Sequence, residues 1–299
     1  MKRNARPEAE LPEELLPIKK KSFFVETVKG LWRSRLAMVG LFLIVLLIVV
    51  AVFADVIAPY GIDDQNLRNR FISPCREHLF GTDNLGRDIF SRIVYGSRIS
   101  LMIGASVAFL SSFVGIVLGA FAGFYGGRTE NIIMRFMDIL MSIPSTLLAI
   151  SVLAALGAGL RNTIIAVAIS SVPRYARVVR ASILSVKEEE YVEAAKCIGA
   201  NDIRVVFSHI LPNCLAPIIV QITLGVAQGI ISAAALSFIG LGVQPPTPEW
   251  GTMLSMARPY LRDHAYMVLF PGLSIMATVF GLNLFGDGLR DALDPKLNR

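Results

Sequence analysis

Charged residues and cysteines are scarce in this chain of 299 residues, of which 17% are charged. The spacing of Cys75, Cys197 and Cys214 matches no metal-binding motif and implies no disulfide framework. Neither GxxxxGK(S/T), the loop that cradles nucleotide phosphates, nor the zinc-protease motif HExxH occurs. Three isolated histidines are expected at surface or interfacial positions, namely His78, His209 and His264. We therefore expect no catalytic residue, no metal site and no cofactor in the chain itself.

Apolar residues, by contrast, are abundant and form long runs. Hydrophobic residues make up 54% of the chain and its mean hydropathy is +0.59. Since a helix needs about 20 apolar residues to cross roughly 30 Å of hydrocarbon, we predict an all-α integral membrane protein with six transmembrane helices. Five runs carry no charged residue, namely 36–54, 99–127, 139–160, 210–248 and 265–286. A sixth run, 162–173, is shorter and can cross only if the arginines after it reach the interface.

The distribution of Lys and Arg predicts that both termini lie in the cytoplasm. In that orientation 20 of the 29 Lys and Arg residues fall on the cytoplasmic side, as the positive-inside rule requires. Segment 57–98 conflicts with the rule because it carries six arginines outside, although acidic residues in the same segment offer them partners. Residues 22–35 suit either an amphipathic helix on the membrane surface or a solvated basic tail. The modest positive excess favours contact with membrane lipid over nucleic acid.

Small residues recur every four positions in two of the apolar runs. The first stripe consists of Gly115, Gly119 and Gly123, and the second of Gly225 and Gly229, followed by Ala233. Such stripes allow a neighbouring helix to approach closely. The neighbour can belong to this chain or to a second membrane subunit, and the sequence leaves that choice open.

A charged, helix-forming segment lies between two apolar runs at 190–213. Helix formers are followed by Gly199, which ends a first helix, and Asn201 or Asp202 can cap a second. Pro212 is expected to turn the chain back into the membrane. The first helix is predicted to present Ala194 and Ala195 beside Glu193, which would let it seat in a groove on a partner. A solvated surface helix without a partner is the alternative.

These residues resemble a known family. Glu193-Ala194-Ala195, with Gly199 four residues later and then Ile210-Leu211-Pro212, is similar to the "EAA" loop of permease subunits of bacterial binding-protein-dependent ABC importers. Four further stretches narrow the resemblance to the dipeptide, oligopeptide and nickel branch, and within it to the second permease of a pair. They are FGTDNLGRDIFSRIVYGSRISL (80–101), GFYGGRTENIIMRFMDILMSIP (123–144), QPPTPEWGTML (244–254) and FGDGLRDALDPKL (285–297).

The resemblance implies an organisation and a set of partners. The implied segments are a cytoplasmic tail with an interfacial helix (1–35), a first transmembrane helix (36–56), an extracytoplasmic loop (57–98), a permease core (99–287) with its coupling loop (181–213), and a cytoplasmic tail (288–299). Expected partners are a homologous second permease forming a heterodimer, two ABC ATPases that bind ATP and Mg²⁺, and an extracytoplasmic substrate-binding protein. Glu193, Ala194, Ala195, Gly199 and Pro212 are the implied coupling residues. The implied location is the inner membrane of a bacterial cell.

The solute path is the least defined part of the sequence. Polar residues within membrane segments are costly and are therefore candidates for its lining, namely Asp138, Ser170, Ser171, Gln221, Gln228 and Asn283. Asp138 can instead pair with Arg135, and the glutamines can bond neighbouring helices. Outside the membrane, Asp83, Arg87 and Asp88 could contact the binding protein or form an internal salt-bridge cluster.

The function expected from the sequence is therefore that of a permease for di- or oligopeptides. A nickel or glutathione importer would share every motif. A secondary transporter and a membrane-bound enzyme are alternatives of other classes, which the sequence favours less.

Overall fold

The computed structural model describes residues 28, 30–32 and 34–293. Over these residues the chain is helical, and Thr82 and Asp88 form an isolated β-bridge. We number the α-helices α1 (Arg35–Val52), α2 (Ala54–Ile57), α3 (Ile89–Tyr125), α4 (Gly127–Ser142), α5 (Ser145–Leu156), α6 (Leu160–Val186), α7 (Glu190–Cys197), α8 (Asp202–Arg204), α9 (Leu215–Phe238), α10 (Trp250–Ala257) and α11 (Tyr266–Leu293). Most of the segment predicted to be an interfacial amphipathic helix or a basic tail lies outside the described residues.

Side-chain caps mark the start of two long helices, and a glycine marks the end of one. Ser34 caps α1, since its hydroxyl accepts a hydrogen bond from the Ala37 N–H at 3.3 Å. Asp88 caps α3 in the same way, with its carboxylate 2.7 Å from the Ser91 N–H. At the other end of α3, Gly126 has a φ of +65°, which favours glycine and ends the helix.

The third predicted span is not a single straight helix. Helices α4 and α5 are joined at Ile143 and Pro144 with a bend of 91°. Proline cannot donate a backbone hydrogen bond, and it disfavours helical geometry in the residue before it. The run 139–160 is therefore divided, and its two halves enclose part of a cavity described below.

Four helical stretches are long and apolar enough to cross a membrane: Arg35–Val52, Ile89–Tyr125, Asp202–Phe238 and Tyr266–Leu293. The bent α4 and α5 pair makes a fifth if it counts as one span. Helix α6 is 27 residues long, about 40 Å, but its arginines keep it from meeting the same apolar criterion. A total of six spans requires that the bent pair counts as one span and that α6 also crosses the membrane. The count of six therefore stays a prediction.

Helices α3, α6 and α9 form the centre of the bundle, and α1 lies along α11. Gly40 of α1 approaches α11 so closely that a Cβ atom there would stand 2.6 Å from the Phe285 nitrogen. Much of the outer surface of α1 carries exposed apolar side chains, including Phe42 and Val45. This distribution suits a helix with lipid on one side and protein on the other.

Candidate functional site

Helix α7, which contains the Glu193-Ala194-Ala195 sequence, is anchored to the bundle by one face. Val192 and Ala195 are buried in an apolar cluster to which three longer helices contribute, and its other members are Ala120, Val179, Ile183, Val205, Val206, Ile210, Cys214 and Ile218. Ala195 is only 4% exposed, so the prediction that both alanines face outward is wrong for this residue. Residues 192 and 195 are three apart on a helix and therefore share a face.

The opposite face of α7 is open. Glu193 and Ala194 are exposed, and Ile198 just after the helix has 85% of its surface exposed. Nearby Ile203 is 65% exposed. A large apolar side chain in water beside charged residues is typical of a surface that a protein partner covers.

The end of α7 is defined by Gly199. Its φ is +83°, and it donates to the Lys196 carbonyl at 3.0 Å, while Ala200 donates to the Ala195 carbonyl at 3.1 Å. This pair of bonds is a Schellman motif, which ends a helix at a residue in the left-handed region. Within 4 Å a Cβ atom on Gly199 would meet nothing, so the backbone conformation alone requires glycine here.

Asn201 caps the next helix, since its side-chain oxygen accepts from the Arg204 N–H at 2.8 Å. The chain then continues through a π-helical segment, Val205–Ile210, and a 3-10 segment, Leu211–Cys214, into α9. The sequence predicted that Pro212 turns the chain, and this prediction is wrong because the helical path continues through it. In the wider π turn before it, the Leu211 N–H bonds to the Val206 carbonyl five residues back, and the helical path continues past the proline.

One further contact ties α7 to the bundle. The Lys196 ammonium lies 5.4 Å from the centre of the Phe124 ring of α3, in a cation–π contact. Desolvation raises the pKa of the Tyr191 phenol, and the charge of Glu189 acts in the same direction. The charged side chains of α7 are Glu190, Glu193 and Lys196.

The two glycine stripes lie against other helices of this chain. Along α3, Gly115, Gly119 and Gly123 face α6, where a Cβ atom on Gly119 would stand 2.5 Å from the Ala176 carbonyl oxygen. On α9, Gly225 lies against the Tyr175 hydroxyl, and a Cβ atom on Gly229 would meet Val107 at 3.2 Å. Close approach of α3, α6 and α9 at these positions builds the support on which α7 rests.

Ion pairs connect α4 to α6. Arg177 donates to the Asp138 carboxylate at 2.5 Å, and Arg180 pairs with Glu130. Asp138, predicted either to line the solute path or to pair with Arg135, is thus held by an arginine of another helix. Both pairs lie partly in solvent, where the attraction is modest, but they fix the register of α4 against α6.

A cavity of about 430 Å³ opens where α4 and α5 bend apart. Of the six predicted lining residues, it contains Ser170, Ser171 and Gln228. Gln221 lines a separate cavity of about 460 Å³ beside Arg290, and Asn283 is exposed on α11. The structure therefore brings three of the predicted polar residues together and separates the others. Arg174 also lines the first cavity and was not among the predicted residues.

On the opposite side of the bundle, the loop before α3 holds a buried polar cluster. The Arg87 side chain is 2% exposed and donates to Asp83 at 2.7 Å, while Asp88 is 4% exposed. The sequence analysis left open whether Asp83, Arg87 and Asp88 contact the binding protein or form an internal cluster, and the structure shows the internal cluster. His78 is buried as well, with its Nδ1 2.9 Å from Asp88 and its ring stacked on Tyr60, so its predicted surface position is wrong.

The chain matches two known protein families. Residues 115–299 match the family described as "Binding-protein-dependent transport system inner membrane component", and residues 22–74 match "N-terminal TM domain of oligopeptide transport permease C". The chain is 49% identical over 272 residues to the dipeptide transport system permease protein DppC of Alkalihalophilus pseudofirmus, covering 91% of this chain and 90% of the relative.

Two other relatives extend the range of named solutes. The di/tripeptide transport system permease protein DppC of Pseudomonas aeruginosa is 47% identical over 281 residues, covering 90% of this chain and 92% of the relative. The glutathione transport system permease protein GsiD of Escherichia coli is 48% identical over 269 residues, covering 89% and 88%. These matches confirm the resemblance drawn from the sequence motifs.

The fold itself is similar to that of a solved structure of the MetNI methionine ABC transporter in an inward-facing conformation. The TM-score is 0.56 at 18% sequence identity, and the match covers 68% of this chain and 96% of that chain. The predicted all-α fold of a type I importer permease is thus confirmed.

Proposed function

Because the chain belongs to the family of binding-protein-dependent transport system inner membrane components, we propose that it forms half of the translocation pathway of an ATP-driven importer of small peptides. A homologous second permease supplies the other half. Two cytoplasmic ATPases bind ATP and Mg²⁺ and drive the cycle, and a binding protein outside delivers the solute. The chain itself holds no cofactor and catalyses no reaction. Membership in the family supports this function over that of a secondary transporter or a membrane enzyme.

The proposed transmission of movement from the ATPases rests on one observation, that α7 has one buried face and one exposed face. Its inner face is locked among α3, α6 and α9 through Val192 and Ala195. Its outer face presents Glu193 and Ala194 to a partner. Closely packed interiors transmit displacement instead of absorbing it, so a push on the outer face moves the helices that line the cavity.

The names of the relatives support a peptide as the solute. Two relatives at 47–49% identity are named for dipeptides or di- and tripeptides. A third, at 48%, is named for glutathione, which is itself a tripeptide, and this makes glutathione the second candidate. A nickel importer remains an alternative from the sequence motifs alone.

The distribution of basic residues supports an orientation. We infer that the protein is a multi-pass component of the bacterial cytoplasmic membrane with both termini and α7 in the cytoplasm and segment 57–98 outside. The arginines that conflict with the rule include Arg87, which pairs with Asp83, and Arg98, which pairs with Asp55 at 2.9 Å.

Reconstitution tests the proposal. The chain is assembled in proteoliposomes with its second permease, both ATPases and the binding protein, and ATP hydrolysis is measured with dialanine, glutathione or Ni²⁺ outside. We expect peptides to stimulate hydrolysis and to accumulate inside only when ATP is present. Uptake driven by an ion gradient without ATP, or stimulation by Ni²⁺ alone, would overturn the proposal.

A further inference from the structure

Among the described residues that line the cavity between α4, α5, α6 and α9, Arg174 carries a positive charge and none carries a carboxylate. We propose that Arg174 in this cavity recognises the carboxylate of a peptide in transit and so selects peptides over bare cations. This inference rests on the proposed peptide function and deepens it. It assigns a recognition role to the permease in addition to any selection by the binding protein.

Three arginines follow one another at three-residue intervals along α6, and they differ in their partners. Arg177 pairs with Asp138, and Arg180 pairs with Glu130. For Arg174, by contrast, the described residues include no carboxylate within 4.0 Å, and its side chain borders the cavity. Helix α4 thus neutralises two of the three charges and leaves the one that faces the open space.

The position of Arg174 makes that charge effective. It lies near the middle of α6, about 20 Å from either end. Arg174 directly follows the apolar run 162–173 and its exposed side chain borders the cavity, and charges that face a cavity within a membrane protein are characteristic of ion and substrate pathways. Its charge attracts an anion and repels a cation that enters this space.

The rest of the lining suits a peptide. Hydroxyl and amide groups surround the space, namely Ser145, Thr146, Ser170, Ser171, Ser232 and Gln228. The hydroxyls of Ser170 and Ser171 donate to the Val167 carbonyl within their own helix, at 2.9 and 2.8 Å, and so keep lone pairs for a passing N–H group. A volume of about 430 Å³ is within the usual range for small-molecule sites.

The chemistry follows from these groups together. A free peptide ends in a carboxylate, which an arginine binds through two parallel hydrogen bonds, while its amides meet the serines and Gln228. A bare divalent cation meets repulsion from Arg174 instead. The cavity therefore fits a zwitterionic or anionic peptide with a free C-terminus better than it fits a metal ion.

Uptake of two matched peptides tests the inference in the complete reconstituted importer. Trialanine and trialanine amide differ only in the terminal carboxylate, and each is supplied at a concentration that saturates the binding protein. With Arg174→Gln we expect trialanine uptake to fall about tenfold or more relative to the unchanged complex, and amide uptake to change little. Arg174→Lys keeps the positive charge but loses the paired hydrogen bonds, and it should restore part of the trialanine uptake.

A matched control and a second variant complete the design. Arg161→Gln removes an exposed arginine at the start of the same helix, outside the cavity lining, and should leave both rates unchanged. Gln228→Glu adds a negative charge to the cavity at nearly constant volume, and we expect it to depress trialanine uptake selectively. This variant tests the inference even if Arg174→Gln does not assemble.

The outcomes separate the two proposals. Equal effects of Arg174→Gln and Gln228→Glu on trialanine and its amide, or no effect on either, would overturn the role of Arg174 while leaving the peptide importer intact. If the unchanged complex takes up neither peptide, the proposed function itself fails.

Discussion

Gly119 of α3 and Ala176 of α6 approach so closely that a Cβ atom on the glycine would stand 2.5 Å from the alanine carbonyl oxygen. The obstacle is backbone, which cannot rotate away as a flexible side chain can. Val179 stands at 2.8 Å from the same position. Contact between α3 and α6 therefore depends on the absence of a single methyl group.

Gly119→Ala is expected to force these helices apart and to lower stability by about 1–3 kcal/mol. Gly272→Ala on α11 is the control, because a Cβ atom there meets nothing within 4 Å. That variant should be neutral or slightly stabilising, since alanine favours a helix over glycine. Thermal unfolding of the purified proteins in detergent measures the difference, and equal melting temperatures would contradict the packing described for α3 and α6.

The two alanines of α7 should respond differently to the same substitution. Ala195→Leu inserts a large side chain into a buried site and should lower the melting temperature of the isolated chain. Ala194→Leu changes an exposed site and should leave stability within about 0.5 kcal/mol while weakening attachment of the ATPases. Melting temperature and copurification are measured on both variants. A stability loss confined to Ala194→Leu would reverse the assignment of faces.

Reversal of one charge tests the partner surface of α7. Glu193→Arg should leave the protein in the membrane but abolish copurification with the ATPases or uncouple hydrolysis from uptake, since a like charge against a complementary surface is repelled. Glu77→Arg makes the same change in the loop before α3, where Glu77 is exposed, and should have neither effect. Normal uptake by the Glu193 variant would show that α7 does not transmit the movement.

Native cysteines report the orientation. Cys75 and Cys197 are exposed, whereas Cys214 is buried. In spheroplasts expressing the chain without its ATPases, a membrane-impermeant maleimide should label Cys75 at once and Cys197 only after the membrane is permeabilised. Cys75→Ser and Cys197→Ser identify the labelled sites. Labelling of Cys197 in intact spheroplasts would place α7 outside and contradict the proposed coupling.

The sequence predicted those structural features that depend on interactions between a few neighbouring residues. The end of α7 at Gly199 and the Asn201 cap follow from a left-handed backbone position and a short polar side chain, which act within one helical turn. The course of the chain at Pro212 was not readable, because a proline can end a helix or follow a π turn within one. Which of these occurs depends on how Val205 and Ile210 pack against the bundle.

The sequence by itself determined that this protein is an all-α membrane permease, because the length of apolar runs and the order of motifs do not depend on how the helices meet. Only the tertiary structure decided which side chains face each other. It turned Ala195 inward, joined Asp138 to Arg177 across two helices, and left Arg174 facing the cavity. The physical reason is that periodicity gives each helix a buried face, whereas the partner of that face is chosen by close packing between residues far apart in the chain.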